Sequence, residues 1–174
     1  MKNLFFALAF FLLTTSNAQQ KTTATKNVSG DLIGLVTKAD FNQQPYATWF
    51  VKNFESYIVD AATSKALQKK FKNTTIKAFM GTWCKDSKRE IPRFYKVLEA
   101  ANFNLKKLEM ITVNRGKKTP ENLQEGFDIK RVPTFIFYKK GKEIGRYVEF
   151  PRASLEKDIL TIVSGKPYKH SYEK

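Results

Sequence analysis

Thr82-Trp83-Cys84-Lys85-Asp86-Ser87-Lys88-Arg89-Glu90-Ile91-Pro92 contains the only cysteine of the chain. The residues ahead of it, Ile76-Lys77-Ala78-Phe79-Met80-Gly81, are short and mostly apolar with a turn former at the end, and predict a strand over 74–80. Behind it, Ile91, Phe94, Val97, Leu98 and Ala101 recur at helical spacing and predict a helix over 85–101. Cys84 is therefore expected in the first turn of a helix. Unpaired backbone N–H groups and the positive end of the helix dipole there favour a thiolate over a thiol. Lys85, Lys88 and Arg89 push the same way, and Asp86 opposes them.

Working outward, the pattern predicts alternating elements. Leu32 to Val36 reads as a short strand, Pro45 suits the first turn of a helix, and Trp49, Phe50, Asn53, Phe54, Tyr57 and Ile58 follow at near-helical spacing. A second helix over 61–71 turns Ala66, Leu67 and Phe71 inward. Downstream, 105–113 reads as a strand and Arg115-Gly116-Lys117-Lys118 as a loop. Thr119 and Pro120 read as the N-cap and first residue of a helix reaching Gly126. Lys139-Lys140-Gly141-Lys142 reads as a hairpin turn returning along 143–149, and Ser154 opens a last helix with Leu155, Ile159, Ile162 and Val163 on one face and Gly165 at its close. That order of elements is an α/β sandwich around a mixed sheet. Repeats are absent from the sequence.

Trp83-Cys84-Lys85-Asp86-Ser87 resembles the Trp-Cys-x-x-Cys active site of the thioredoxin superfamily, with Ser87 in place of the second cysteine. Pro92 falls where these proteins commonly place a proline in the active-site helix. Val132-Pro133-Thr134 resembles their cis-proline motif, and Phe135 to Gly141 the strand and turn that follow. The similarity covers roughly residues 74–165. It implies a central mixed sheet flanked by helices, with 31–73 as an extra helical N-terminal elaboration; by composition, 19–30 reads as a leader without structure and 166–174 as a polar tail. It further implies that Cys84 is the reactive sulfur, that Pro133 is cis and brings the Val132 backbone beside it, and that Trp83 and Thr134 complete a groove for an extended peptide. Two departures from the family pattern stand out. Ala78 occupies the position of a buried acid six residues before the sulfur, and Val148-Glu149-Phe150 occupies the region of a groove-bordering glycine. Glu149, with Lys85 and Asp86, is a candidate modulator of the site.

Met1-Lys2-Asn3, the apolar run Leu4 to Leu13 and the small residues before Ala18 fit a secretory signal peptide over 1–18, cleaved after Ala18. The run is too short to span a bilayer, which needs about 20 residues, and no later stretch suffices, so stable membrane insertion is not expected. Export implies a periplasmic location in a Gram-negative source and secretion otherwise. Cleavage leaves about 156 residues, enough for one domain with its own core, and 15 Phe, 7 Tyr and 2 Trp supply bulky material for it. The formal charge of +15 invites a nucleic-acid reading. The lysines are scattered, however, and no nucleic-acid motif is present, so a solvated basic surface with weak attraction to anionic envelope components or acidic proteins is the expectation.

A lone cysteine in an exported chain is either buried and inert or free for intermolecular chemistry. As a thiolate, Cys84 can attack a disulfide. Ser87 lies one helical turn on, within reach to hydrogen-bond the sulfur, but a serine cannot resolve a mixed disulfide. Release then falls to a small thiol, another substrate cysteine or an external reductase. Cysteine-containing proteins and small thiols or disulfides are the expected partners. No cofactor is expected and no metal site: His170, the only histidine, lies in the tail, and Glu90 and Glu99 read as helix-surface charges. Three classes stay open on the sequence: a monothiol thiol–disulfide enzyme, a non-catalytic peptide-binding module using the same groove, and a structural protein with a buried cysteine.

Overall fold

The order of apolar segments becomes a single mixed sheet in the computed structural model, which describes residues 24–173. The expected signal peptide and the first residues of the expected leader lie outside the described residues. The strands are β1 (Thr25–Lys26), β2 (Leu32–Val36), β3 (Thr74–Met80), β4 (Leu108–Thr112), β5 (Thr134–Lys139) and β6 (Lys142–Val148). Among the described residues they lie in the order β1-β2-β4-β3-β5-β6. Only β3 and β4 are parallel; the other neighbours are antiparallel. The helices are α1 (Lys38–Phe41), α2 (Ala47–Ser56), α3 (Ala61–Lys70), α4 (Lys85–Ala100) and α5 (Leu155–Val163). This is the expected α/β sandwich around a mixed sheet, with helices α1 to α3 ahead of β3. No helix among the described residues is long and apolar enough to cross a membrane.

Alternation along β3 splits the core. Ile76, Ala78 and Met80 point to the face where Phe50, Leu67, Phe94, Leu98, Ile159 and Ile162 of four helices pack. Phe79 points to the other face, with Ile111, Val113, Val132 and Ile136. Full burial of each of the larger of these side chains contributes about 1.5–3 kcal/mol.

Several expectations are corrected. Residues 24–30 are not structureless: Thr25–Lys26 pairs with Leu32 and Ile33, and Asn27 Oδ1 accepts from Ser29 N and Asp31 N to close the turn. Pro45 precedes its helix instead of starting it; Gln44-Pro45 is cis and Tyr46 is the N-cap of α2. Tyr57 is already extended, so the helical phase stops and Ile58 is 91% exposed. The strand expected from Leu105 begins at Leu108, because Asn104 accepts from Lys106 N and holds Leu105–Lys107 in a 3-10 turn. Residues 119–126 form turns and no helix. Thr119 Oγ1 accepts from Leu123 N at 2.9 Å as a cap would, but Asn122 (φ 55°) and Gly126 (φ 78°) are left-handed and interrupt any right-handed run. The second face of the sheet is thus covered by Leu123, Phe127 and Ile129 from a turn-rich segment.

Candidate functional site

The sulfur is placed by the strand end that precedes it. Gly81 O accepts from Cys84 N at 2.9 Å, and Cys84 becomes the N-cap of the 16-residue helix α4. Gly81 is required by close approach: a Cβ there would lie 2.5 Å from Trp83 Cε2. The Trp83 indole rests on that glycine and donates from Nε1 to Val113 O at 2.9 Å, with the Arg115 guanidinium 5.4 Å from its ring. Thr82, buried, accepts from Leu32 N through Oγ1 at 3.0 Å and so ties the loop to β2.

Cys84 is half-buried, and its Sγ lies 3.2 Å from Val132 O, to which the thiol donates. Val132-Pro133 is a cis peptide. Residues 48 apart in sequence are thereby brought into contact. The loop around them is fixed by Thr134 Oγ1 donating to Arg131 O at 2.8 Å and by Glu149 N donating to Pro133 O at 2.8 Å. Trp83, Cys84, Val132, Pro133 and Thr134 are therefore one constellation.

Ser87 is not turned as expected. It is fully buried, and its Oγ accepts from Gly81 N at 3.2 Å, an amide at the strand end that has no ladder partner, in place of contacting Cys84. Asp86 pairs with Arg89 at 2.7 Å, which offsets its charge, and Lys85 is exposed. Glu149 has a positive φ of 60°, the conformation natural to glycine. Its carboxylate turns to Arg131, 3.5 Å away, and accepts from the Tyr172 hydroxyl. That bond to Glu149, followed by burial, raises the Tyr172 pKa. The tail folds back here: Ser171 Oγ donates to Phe150 O and the Arg131 guanidinium lies 3.9 Å over the Tyr172 ring. His170 bonds within the tail, to Glu173 and Tyr172. Ala78 is fully buried among apolar side chains. Among the described residues no group of three or more His, Cys, Asp or Glu could hold a metal ion.

Glu90 corrects the reading of a surface charge. It is 1% exposed and receives Arg89 Nε at 2.6 Å, Arg93 at 3.2 Å and Tyr147 OH at 3.0 Å. Burial, then the Glu90 charge, pushes the Tyr147 phenol up. Glu99, by contrast, is the surface charge expected, paired with Lys38. Pro92 sits inside α4 and cannot donate to Lys88 O. Asn53 Nδ2 of α2 supplies that bond at 3.1 Å, so the N-terminal elaboration caps a gap in the site helix. A proline at helical spacing signals the orphaned carbonyl from sequence; the identity of its partner does not show.

A family model described as Thioredoxin matches residues 52–161. A thioredoxin-like protein of Acanthamoeba polyphaga mimivirus is 32% identical over 97 residues, 56% of this chain and 68% of that protein. A thioredoxin of Arabidopsis thaliana is 29% identical over 89 residues, 51% of this chain and 59% of that protein. A crystal structure of a protein of unknown function from Pseudomonas aeruginosa superposes with a TM-score of 0.54 at 18% identity, over 74% of this chain and 91% of that one, which speaks to the fold alone.

Proposed function

The chain belongs to the thioredoxin family, and on that premise we propose that it is an exported protein performing monothiol thiol–disulfide exchange through Cys84. The observation that carries the reading is the half-buried sulfur at the N-cap of α4, 3.2 Å from the carbonyl that precedes the cis-proline. The Val132 backbone beside the sulfur, whose carbonyl is released once the Cys84 thiol gives up its proton, suits an extended, disulfide-bearing peptide bound by strand addition.

The Cys84 thiolate attacks one sulfur of the substrate disulfide. The substrate S–S bond breaks, a mixed disulfide to Cys84 forms, and the departing thiolate takes a proton from solvent. Ser87 offers no second sulfur, and Ala78 no proton acceptor on β3. Release needs another thiol. A second cysteine of the substrate attacking the mixed disulfide gives isomerisation with no net redox change. A small external thiol attacking it frees Cys84 with the substrate carried as a new mixed disulfide, and a second equivalent completes reduction of the substrate as the external thiol is oxidised. Ser87 serves by tying Gly81 to the first turn of α4, and Trp83 by walling the groove.

The test is to mix the protein with an oxidised cysteine peptide, then add glutathione in excess. A covalent adduct at Cys84, repeated turnover with glutathione, and loss of both in Cys84→Ser support the reading. An adduct that never turns over, or peptide binding unchanged in Cys84→Ser, replaces it with a non-catalytic binding module.

A further inference from the structure

We propose that the end of the sheet remote from Cys84 is an electrostatic docking surface for an anionic lipid bilayer, which holds the sulfur facing away from the bilayer. Strand register fixes this geometry. Thr74 of β3 lies opposite Lys139 of β5, Lys139 opposite Lys142 of β6, and Ile76 beside Leu108, the first residue of β4. These strand ends share one edge of the molecule, and Met80 and Cys84 lie at the other end of β3.

Lysines crowd the first edge. Lys72 precedes β3, Lys106 and Lys107 precede β4, and Lys140 and Lys142 form and follow the β5–β6 turn. Two helices end at the same place. Thr74 N donates to Phe71 O just past α3, which brings in Lys69 and Lys70, and Lys139 Nζ donates to Val163 O at the end of α5, just before Lys166. Apart from Lys139, all of these lysines are exposed, and none has a salt-bridge partner among the described residues. The acids at the end of α4 and the starts of β4 and β6 are engaged elsewhere: Glu99 with Lys38, Glu109 with Lys77 and Glu143 with Arg146.

The composition of this edge selects the partner. Nucleic acid favours arginine forks and stacking aromatics along a groove. Here the cations are lysines from separate elements, and the exposed large apolar side chains, Val28, Val51, Ile58, Phe150 and Tyr172, belong to none of these strand or helix ends. Dispersed, compact ammonium groups suit a planar field of lipid headgroups, where each adds a weak increment. Without an apolar wedge, attachment is peripheral and salt-reversible. The inference stands apart from the exchange chemistry, since no group of the site takes part in it.

The test is sedimentation of the full chain with vesicles of phosphatidylcholine alone or with phosphatidylglycerol added, at about 50 mM and about 500 mM salt. Salt-reversible binding confined to the anionic vesicles is expected. Lys70→Gln/Lys72→Gln/Lys107→Gln/Lys140→Gln should weaken it by about tenfold or more. Lys117→Gln/Lys118→Gln/Lys130→Gln/Lys157→Gln, of equal net charge, should change it less than about twofold, because these lysines lie off the docking edge. No binding at low salt, equal loss in the two variants, or a preference for a single-stranded oligonucleotide over anionic vesicles would overturn the proposal. So would protection of Cys84 from a soluble alkylating reagent on bound vesicles, which would reverse the orientation.

Discussion

Asn53→Leu should destabilise the protein only as long as residue 92 is proline. In the native chain, Lys88 O lacks the helical donor that a residue other than proline at 92 would provide, and Asn53 Nδ2 replaces it at 3.1 Å. Leucine keeps the volume and removes the donor. The half-buried carbonyl is then left to solvent at the α2–α4 contact, and an orphaned group of this kind costs about 1–3 kcal/mol. Asn53 Nδ2 also bonds Trp49 O, but that carbonyl lies within its own helix and loses little. Pro92→Ala restores a backbone N–H aimed at Lys88 O, so the same Asn53→Leu change should then cost under about 0.5 kcal/mol. Urea unfolding of the two single variants and the double variant, followed by tryptophan fluorescence, measures the cycle. Equal costs of Asn53→Leu with proline and with alanine at 92, or no cost with proline, would sink the idea that α2 caps the break in the site helix.

Other perturbations reach the remaining parts of the site and core. Gly81→Ala drives a methyl into the Trp83 indole, 2.5 Å from Cε2; overpacking should cost about 1–3 kcal/mol, and a red-shifted tryptophan emission should report loss of the Trp83–Val113 bond. Glu90→Ala should cost about 1–3 kcal/mol by leaving the buried Tyr147 hydroxyl without its acceptor, whereas Tyr147→Phe, which leaves Glu90 its two arginines, should cost about 1 kcal/mol or less; chemical denaturation measures both. Burial, ahead of any bonded carboxylate, holds Tyr57, Tyr95, Tyr147 and Tyr168 above their ordinary value of 10.0. The folded state therefore keeps protons that the unfolded state releases, so stability is full below about pH 10 and falls above it. Tyrosinate absorbance should appear together with unfolding, not ahead of it. Tyr172→Ala frees the tail from Glu149 and Arg131; it should cost under about 1 kcal/mol and speed capture of an oxidised peptide by Cys84 about twofold or more, and a slower capture would show that the tail assists the groove.

The sequence displays those parts of the fold whose pattern is local. The strand, turn and helix around Cys84 were legible because Ile76 to Met80 and Ile91 to Ala101 carry their own periods, and Lys140-Gly141 fits a two-residue hairpin whose φ values of 50° and 76° are both positive. Failures came where a side chain answers to something remote or where a local bond outcompetes the period. Glu90 sits between arginines on a polar stretch of helix, and nothing nearby announces Tyr147, 57 residues away. Ser87 has helical spacing to Cys84, yet the Gly81 amide competes for its oxygen. Leu105 continues the apolar run of β4, but the Asn104 side chain captures the Lys106 amide and coils the backbone first. Turn chemistry likewise defeated the helix expected after Thr119.

The replacement of a cysteine by Ser87 has consequences that extend beyond the missing thiol. A second sulfur one turn along α4 must move toward the first to form a disulfide, so a dithiol site needs some freedom in its first turn. Here that turn is pinned. Ser87 is sealed and bonded to Gly81, Gly81 is pressed under Trp83, Trp83 is held by Val113, and Thr82 is held to β2. Behind it, Asn53 and the Glu90 cluster hold α4 against α2 and β6. Chemistry that ends in attack by an outside thiol asks for the opposite of an adaptable pair: one sulfur kept in a fixed attitude toward an extended peptide. On the proposed monothiol reading, the buried network around α4 is therefore as much a part of the site as the absent cysteine. Loosening it should impair exchange more than it impairs the intrinsic reactivity of the Cys84 sulfur.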